Sequence, residues 1–302
     1  MSRRVALSGR ASLAAVLALV GVPVATAAAS GSKSSTGATP FYGPARDWGG
    51  THIRPMDCPA PPLPVPVGCP TNSSPPPSGP ASGPTGRQIP ADQILSNEMT
   101  FTEWANVHRI ANIYLSPSTH SRQISRLHSY TEDDFNETYL LLRAHWNGRT
   151  EWIKLRIPGR PNGRTGWVER NALGRFHVTH DAVVVNRNAL RIYFYRNGRR
   201  IWSAPVGIGA PLTPTPAGHF WIRERFAIAS PASGYWPFAF GTADYSTISD
   251  WPKGGVVGIH GPFGAPVSAI PGRISHGCIR LHTWDDAWLG RHLAIGTPLR
   301  VV

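Results

Sequence analysis

From Phe101 to the C-terminus, apolar residues come in short runs, and a turn signal closes each run. That rhythm suits strands of a few residues and leaves no room for the long 3.6-residue periodicity of a helical bundle. The 31 Gly and 30 Pro among 302 residues reinforce it, and a hydrophobic share of 41% is enough to fill a core. Glu151-Trp152-Ile153-Lys154-Leu155-Arg156-Ile157 alternates cleanly and predicts a half-buried strand. Ile110 to Leu115, Tyr139 to Ala144, Ala182 to Val185, Leu190 to Tyr195 and Ile201 to Ile208 read as further strands. Asn147-Gly148, Asn162-Gly163 and Asn197-Gly198 read as the turns between them. One short helix is expected over Trp284 to Leu293, with Thr283 as its N-cap and Asp285 and Asp286 in its first turn. The fold class is therefore mainly β.

The N-terminus reads as an address. Arg3, Arg4 and Arg10 precede the apolar stretch Ala11 to Val24, and Ala25-Thr26-Ala27 fits a cleavage site. This predicts a secretory signal peptide over 1–27, with an uncleaved membrane anchor as the alternative. The Arg3-Arg4 pair also fits a twin-arginine signal, so the export route stays open. No other apolar run approaches the ~20 residues of a membrane span. Residues 28–95 form a Pro/Ser/Gly-rich linker suited to tethering rather than packing. Cys58 and Cys69 lie in it, outside the cell, where a disulfide can persist. Pairing them leaves Cys278 as the odd thiol. The net charge is +13, and nearly all of it is Arg, since Lys occurs only at Lys33, Lys154 and Lys253. Nucleic acid is a natural partner for such a chain. Export argues against it and favours anionic wall polymers or lipid headgroups.

The residues with chemistry gather near the C-terminus. Ile259-His260-Gly261 is followed by Ser275-His276-Gly277-Cys278-Ile279-Arg280-Leu281. A cysteine nucleophile needs its thiol deprotonated, and a nearby imidazole, His260 or His276, can take that proton. Gly277 leaves the sulfur accessible, and backbone N–H groups around Gly277 and Cys278 are candidate donors to an oxyanion. Arg280 falls on the same side as Cys278 if the strand is extended, where it can hold a carboxylate. The competing readings are an inert buried cysteine and a zinc site built from His260, His276, Cys278 and His282. The spacing matches no common zinc pattern. Elsewhere, His108, His120, His128 and His145 read as surface or turn residues, Trp152 and Trp167 as core anchors, and Arg199-Arg200 as a solvated hairpin end.

Two resemblances sharpen these expectations. Ser116-Pro117-Ser118, Trp152-Ile153-Lys154-Leu155 and Gly163-Arg164-Thr165-Gly166-Trp167-Val168 resemble a bacterial SH3-like domain. That implies a small β-barrel over 96–176, acting as a wall-binding module or spacer. His260-Gly261 with Ser275 to Leu281 resembles the active-site signature of the L,D-transpeptidase family (the YkuD-type catalytic domain). Arg196-Asn197-Gly198, Val206-Gly207 and Thr215 to Phe220 resemble its early segment. The resemblance implies a β-sandwich catalytic domain over 177–302, needing no metal or other cofactor. It implies Cys278 as nucleophile and His260 as general base. Ser275, His276, Gly277 and Gly261 would form the oxyanion and site loop, and Arg280 would bind substrate. The implied partners are peptidoglycan tetrapeptide stems, as donor and acceptor, in the cell wall or periplasmic space. The implied reaction is 3→3 crosslinking through a thioester, with release of D-alanine. An L,D-carboxypeptidase using the same acyl-enzyme and a non-catalytic wall-binding protein are the alternatives. The aromatic stretch 230–258 fits no part of the family pattern and reads as a candidate substrate lid.

Overall fold

The computed structural model describes residues 92–248 and 255–302. The expected signal peptide, nearly all of the linker, Cys58, Cys69 and Trp251 lie outside the described residues. The N-terminal part consists of β1 (Asp92–Ile94), β2 (Thr102–Asn106), β3 (Asn112–Tyr114), β4 (Gln123–Arg126), β5 (Thr138–Trp146), β6 (Glu151–Arg156), β7 (Thr165–Glu169) and β8 (His177–Thr179). The C-terminal part begins with β9 (Asp181–Asn186), β10 (Arg191–Arg196), β11 (Arg199–Pro205), β12 (Gly207–Gly209) and β13 (Gly218–Trp221). It continues with β14 (Phe226–Ala227), β15 (Phe238–Tyr245), β16 (Val256–His260), β17 (Gly272–Ser275), β18 (Ile279–Arg280), α1 (Thr283–His292) and β19 (Pro298–Val301).

The first eight strands form one sheet in the order β4-β3-β7-β6-β5-β2-β8, with β1 added on β5. No pairing joins β4 to β8, so this sheet is open. That corrects the closed barrel expected from the sequence. Closure requires every edge to find a partner. Here one edge strand has four residues and the other three, and β8 is followed almost at once by β9 of a different sheet. Ile113, Tyr139, Leu141, Ile153, Leu155 and Val168 fill the inner face. Trp152 is 2% exposed and anchors the sheet as expected. Trp167 instead lies half-buried with the Lys154 ammonium 5.9 Å from its ring, so it is not a core anchor.

The remaining strands form a five-stranded sheet, β11-β10-β9-β19-β13, and a six-stranded sheet, β14-β15-β16-β18-β12-β17. Asn197 and Gly198 both take positive φ, 49° and 73°, as a two-residue β10–β11 turn requires. Val183, Ile192, Phe194 and Phe220 of one sheet share a core with Ile208, Phe240, Ile259 and Ile279 of the other. Each such side chain contributes about 1.5–3 kcal/mol when fully buried. Phe240 is thus core rather than lid. The helix begins at Thr283 and its N-cap is His282, one residue before the expected cap. Asp286 is fully buried and accepts a hydrogen bond from the Phe238 N–H at 2.8 Å, which ties α1 to the start of β15.

The N-terminal sheet packs directly on the C-terminal strands. Leu140 of β5 belongs to the C-terminal core, while its neighbours Tyr139 and Leu141 belong to the N-terminal one. The Trp221 indole donates to the Thr138 carbonyl at 2.6 Å. Arg223 is 2% exposed and binds Glu137 through two nitrogens, Glu132 at 3.0 Å and the Tyr245 hydroxyl at 3.0 Å. Beside it, burial pushes the Glu224 carboxyl up to about 7, with Arg223 partly opposing the shift. A carboxyl raised on folding stabilises the fold fully below its ordinary value of 4.5, and that contribution disappears as pH rises through about 7. Glu224→Gln mimics the protonated form. It is expected to melt above the wild type at pH 8, with the advantage shrinking towards pH 5. Equal melting temperatures at pH 8 would contradict this.

Candidate active site

Strands β16 and β18 run parallel, with Ile259 opposite Ile279 and His260 opposite Arg280. Continuing that register by one step sets Cys278 beside Gly258, and the Gly258 N–H donates to Cys278 Sγ at 3.4 Å. Side chains two residues apart share a face of a strand. Cys278, His260 and Arg280 therefore project from one face of the six-stranded sheet, although 18 positions separate the cysteine from the histidine. Cys278 is 8% exposed and His260 is 2% exposed.

His260 is held in one form. Its Nδ1 lies 2.8 Å from the Gly261 carbonyl, which can only accept, so Nδ1 carries the proton and Nε2 is the nitrogen able to take another. Burial, and then the Arg280 charge, push the imidazole down to about 3, only partly opposed by the Gly261 carbonyl. It is neutral at neutral pH. Tyr235 packs edge-on against it, with ring centroids 4.9 Å apart, and Phe263 does the same at 5.9 Å. Burial raises the Tyr235 phenol, and the charge of Cys278 raises it further, so Tyr235 stays protonated. Gly261 is required sterically, because a Cβ there would come within 2.0 Å of the Trp236 carbonyl.

The turn that carries Cys278 is clamped from several sides. Gly277 has φ 127°, a conformation that favours glycine. The Gly277 N–H donates to Ser275 Oγ at 3.2 Å, and Ser275 Oγ donates to the Cys278 carbonyl at 2.5 Å. The Thr215 hydroxyl donates to the Gly277 carbonyl at 2.6 Å and accepts the Gly209 N–H at 3.0 Å. The Ser246 hydroxyl donates to the His276 carbonyl at 3.1 Å. Ser275 is buried and braces the turn, whereas the His276 side chain is exposed. The Arg280 guanidinium lies 5.1 Å from the Phe263 ring, and its buried Nε has no hydrogen-bond partner among the described residues. Burial lowers its pKa, with Cys278 opposing. A substrate carboxylate is the natural complement to such a group.

The structure thus brings His260, Gly261, Ser275, Gly277, Cys278 and Arg280 together. His282, from the zinc alternative, bonds instead to Asp285 at 3.3 Å and to the Val267 carbonyl at 3.2 Å. Among the described residues, no group of three or more His, Cys, Asp or Glu has the geometry to hold a metal ion. The sequence reading missed Ser246 as a site-shaping residue, and it placed Tyr235 only in the candidate lid, not against His260. It passed over Thr215 although it singled out that residue's loop.

A buried cysteine, a neutral imidazole and a guanidinium on one face of a sheet can support attack of a thiol on an acyl group. Residues 180–301 match the family model of the L,D-transpeptidase catalytic domain, YkuD. The match is confined to this C-terminal segment, and it is the fold and site of that segment that are similar to the L,D-transpeptidase catalytic domain. Among curated proteins, the chain is similar to "L,D-transpeptidase 1" of Mycobacterium tuberculosis strain ATCC 25618 / H37Rv, 29% identical over 114 residues. The match takes in 35% of this chain and 44% of the relative, so the chain spans less than half the length of that protein. Among solved structures, it is similar to the catalytic domain of an E. faecium L,D-transpeptidase, at 24% identity over 40% of this chain and 95% of that one, with a TM-score of 0.29. It is also similar to an L,D-transpeptidase from Mycobacterium smegmatis, at 16% identity over 51% and 91%, with a TM-score of 0.32.

Proposed function

We propose that the protein is an exported L,D-transpeptidase that forms 3→3 crosslinks between peptidoglycan stems. The observation that carries this reading is the parallel β16–β18 register, which sets Cys278 and a neutral His260 on one face. His260 Nε2 takes the thiol proton, and the sulfur attacks the carbonyl of the third, diamino acid residue of a tetrapeptide stem. The C–N bond to the terminal D-alanine breaks, and the departing amine takes the proton back from His260. A thioester remains. An amine of a second stem then attacks it, loses its proton to His260, and returns the thiol. The thioester keeps the energy of the broken amide, so no ATP is needed. Arg280 holds a stem carboxylate. The N-terminal sheet is the candidate for wall contact. It carries a cleft of about 320 Å³ lined by Arg109, Asn112, Tyr114, Arg126 and Glu169, in which Glu169 binds Arg109 at 3.1 Å and Arg126 is the cation offered to an anionic wall polymer.

Incubation with a tetrapeptide stem tests the reading. Released D-alanine together with crosslinked dimer supports transfer. D-Alanine with tripeptide alone assigns an L,D-carboxypeptidase, and no release overturns both. His260→Ala is expected to slow acylation about 10²–10⁴-fold, the range a general base supplies. It should also slow alkylation of Cys278 by iodoacetamide at pH 7. Unchanged rates would remove His260 from the mechanism.

A further inference from the structure

We infer that the β6–β7 loop of the N-terminal sheet, through Arg160 and Asn162, positions the turn that carries Cys278. This rests on the acyl-transfer reading of that turn and assigns the sheet a part in the reaction besides that of a spacer.

The contacts form a short chain. Gly159 and Gly163, with φ 105° and 83°, let the loop fold back between β6 and β7. Asn162 then grips the end of β15 like an added strand residue. Its Oδ1 accepts the Tyr245 N–H at 3.1 Å, and its Nδ2 donates to the Tyr245 carbonyl at 2.9 Å and to Asp244 at 3.0 Å. Arg160 donates from Nε to the Ser246 carbonyl at 3.1 Å, from a terminal nitrogen to the same carbonyl, and to the Ile248 carbonyl at 3.1 Å. Its guanidinium also lies 5.4 Å from the Tyr245 ring. Main-chain groups of Tyr245, Ser246 and Ile248 are therefore held by the β6–β7 loop.

Ser246 passes this grip to the site. It is 3% exposed, and its hydroxyl donates to the His276 carbonyl at 3.1 Å. A Cβ on Gly277 would stand 3.3 Å from Ser246 Oγ and 3.4 Å from its Cβ, so the Cys278 turn rests against this side chain. On its other flank the turn is held by Thr215, from within the catalytic segment. Loss of the Arg160 and Asn162 contacts frees one of the two walls. Small misplacements of a nucleophile cost rate without weakening substrate binding in proportion.

The test uses the full chain carrying Arg160→Ala, Asn162→Ala or Ser246→Ala. D-Alanine release from a tetrapeptide stem is measured across substrate concentrations, with thermal melting and amide hydrogen exchange of residues 275–279. The expected result is a kcat about ten- to a hundredfold lower with KM within about twofold, and faster exchange in 275–279. Arg160→Lys should restore part of kcat, because an ammonium still reaches the Ser246 carbonyl. Wild-type kcat and exchange in all three variants would overturn the inference. So would losses confined to KM. If Arg160→Ala does not fold, Ser246→Ala decides alone, since it removes only the last hydroxyl in the chain. If the wild type releases no D-alanine, the functional reading fails, and exchange in 275–279 still decides whether the loop holds the turn.

Discussion

Cys278→Ala is expected to reduce acyl transfer at least about 10³-fold while leaving the protein folded. Removing the nucleophile of a covalent mechanism removes the step on which both half-reactions depend, and only background positioning remains. The structural cost is small. The thiol is short, and its removal leaves the Gly258 N–H without the Sγ acceptor it has at 3.4 Å. One unmade hydrogen bond to sulfur costs about 1 kcal/mol, or roughly 2–4 °C in Tm for a domain of this size. Calorimetry beside the activity assay separates the two effects. Turnover within about tenfold of wild type would sink the mechanism.

Arg223→Ala is expected to have the largest effect on stability. Its guanidinium is 2% exposed, and Glu137, which it binds, is fully buried. Removing one partner of a buried pair strands the other charge, at a cost of about 3–5 kcal/mol. Glu132 and the Tyr245 hydroxyl lose a partner in the same step. The effect should appear as a lower urea midpoint. Arg223→Met combined with Glu137→Leu should recover much of the loss, because a dry apolar pair strands no charge. Since Glu137 belongs to the N-terminal part and Arg223 to the C-terminal part, the same experiment reports on how firmly the two are joined. A loss under about 1 kcal/mol for the single variant would show that the pair carries little of that junction.

Local pattern made the strands legible. The alternation at Glu151 to Ile157 corresponds to β6, and Asn197-Gly198 sits at a two-residue turn. The helix was misread by one residue, because Thr283 looks like a cap while His282 takes the extended backbone that a cap requires. What period-two patterning does not carry is which strands become neighbours. The open sheet and the β16–β18 pairing are set by contacts far apart in sequence. Residue chemistry therefore left His260 and His276 as alternatives beside Cys278, and only the family resemblance chose His260. One unused signal was Leu140-Leu141-Leu142 in β5. An apolar run without alternation marks a strand covered on both faces, and here the second cover is the catalytic core. Arg160 and Asn162 had no local signature, because their partners are main-chain groups more than eighty positions away.

The most direct test is intact-protein mass spectrometry of the full chain with a tetrapeptide stem, and separately with a carbapenem that can acylate the thiol. The account predicts a covalent adduct with each, mapped by peptide digestion to Cys278, and free D-alanine released from the stem. It also predicts no adduct on Cys278→Ala. A folded wild-type protein with a titratable thiol that forms neither adduct would contradict it.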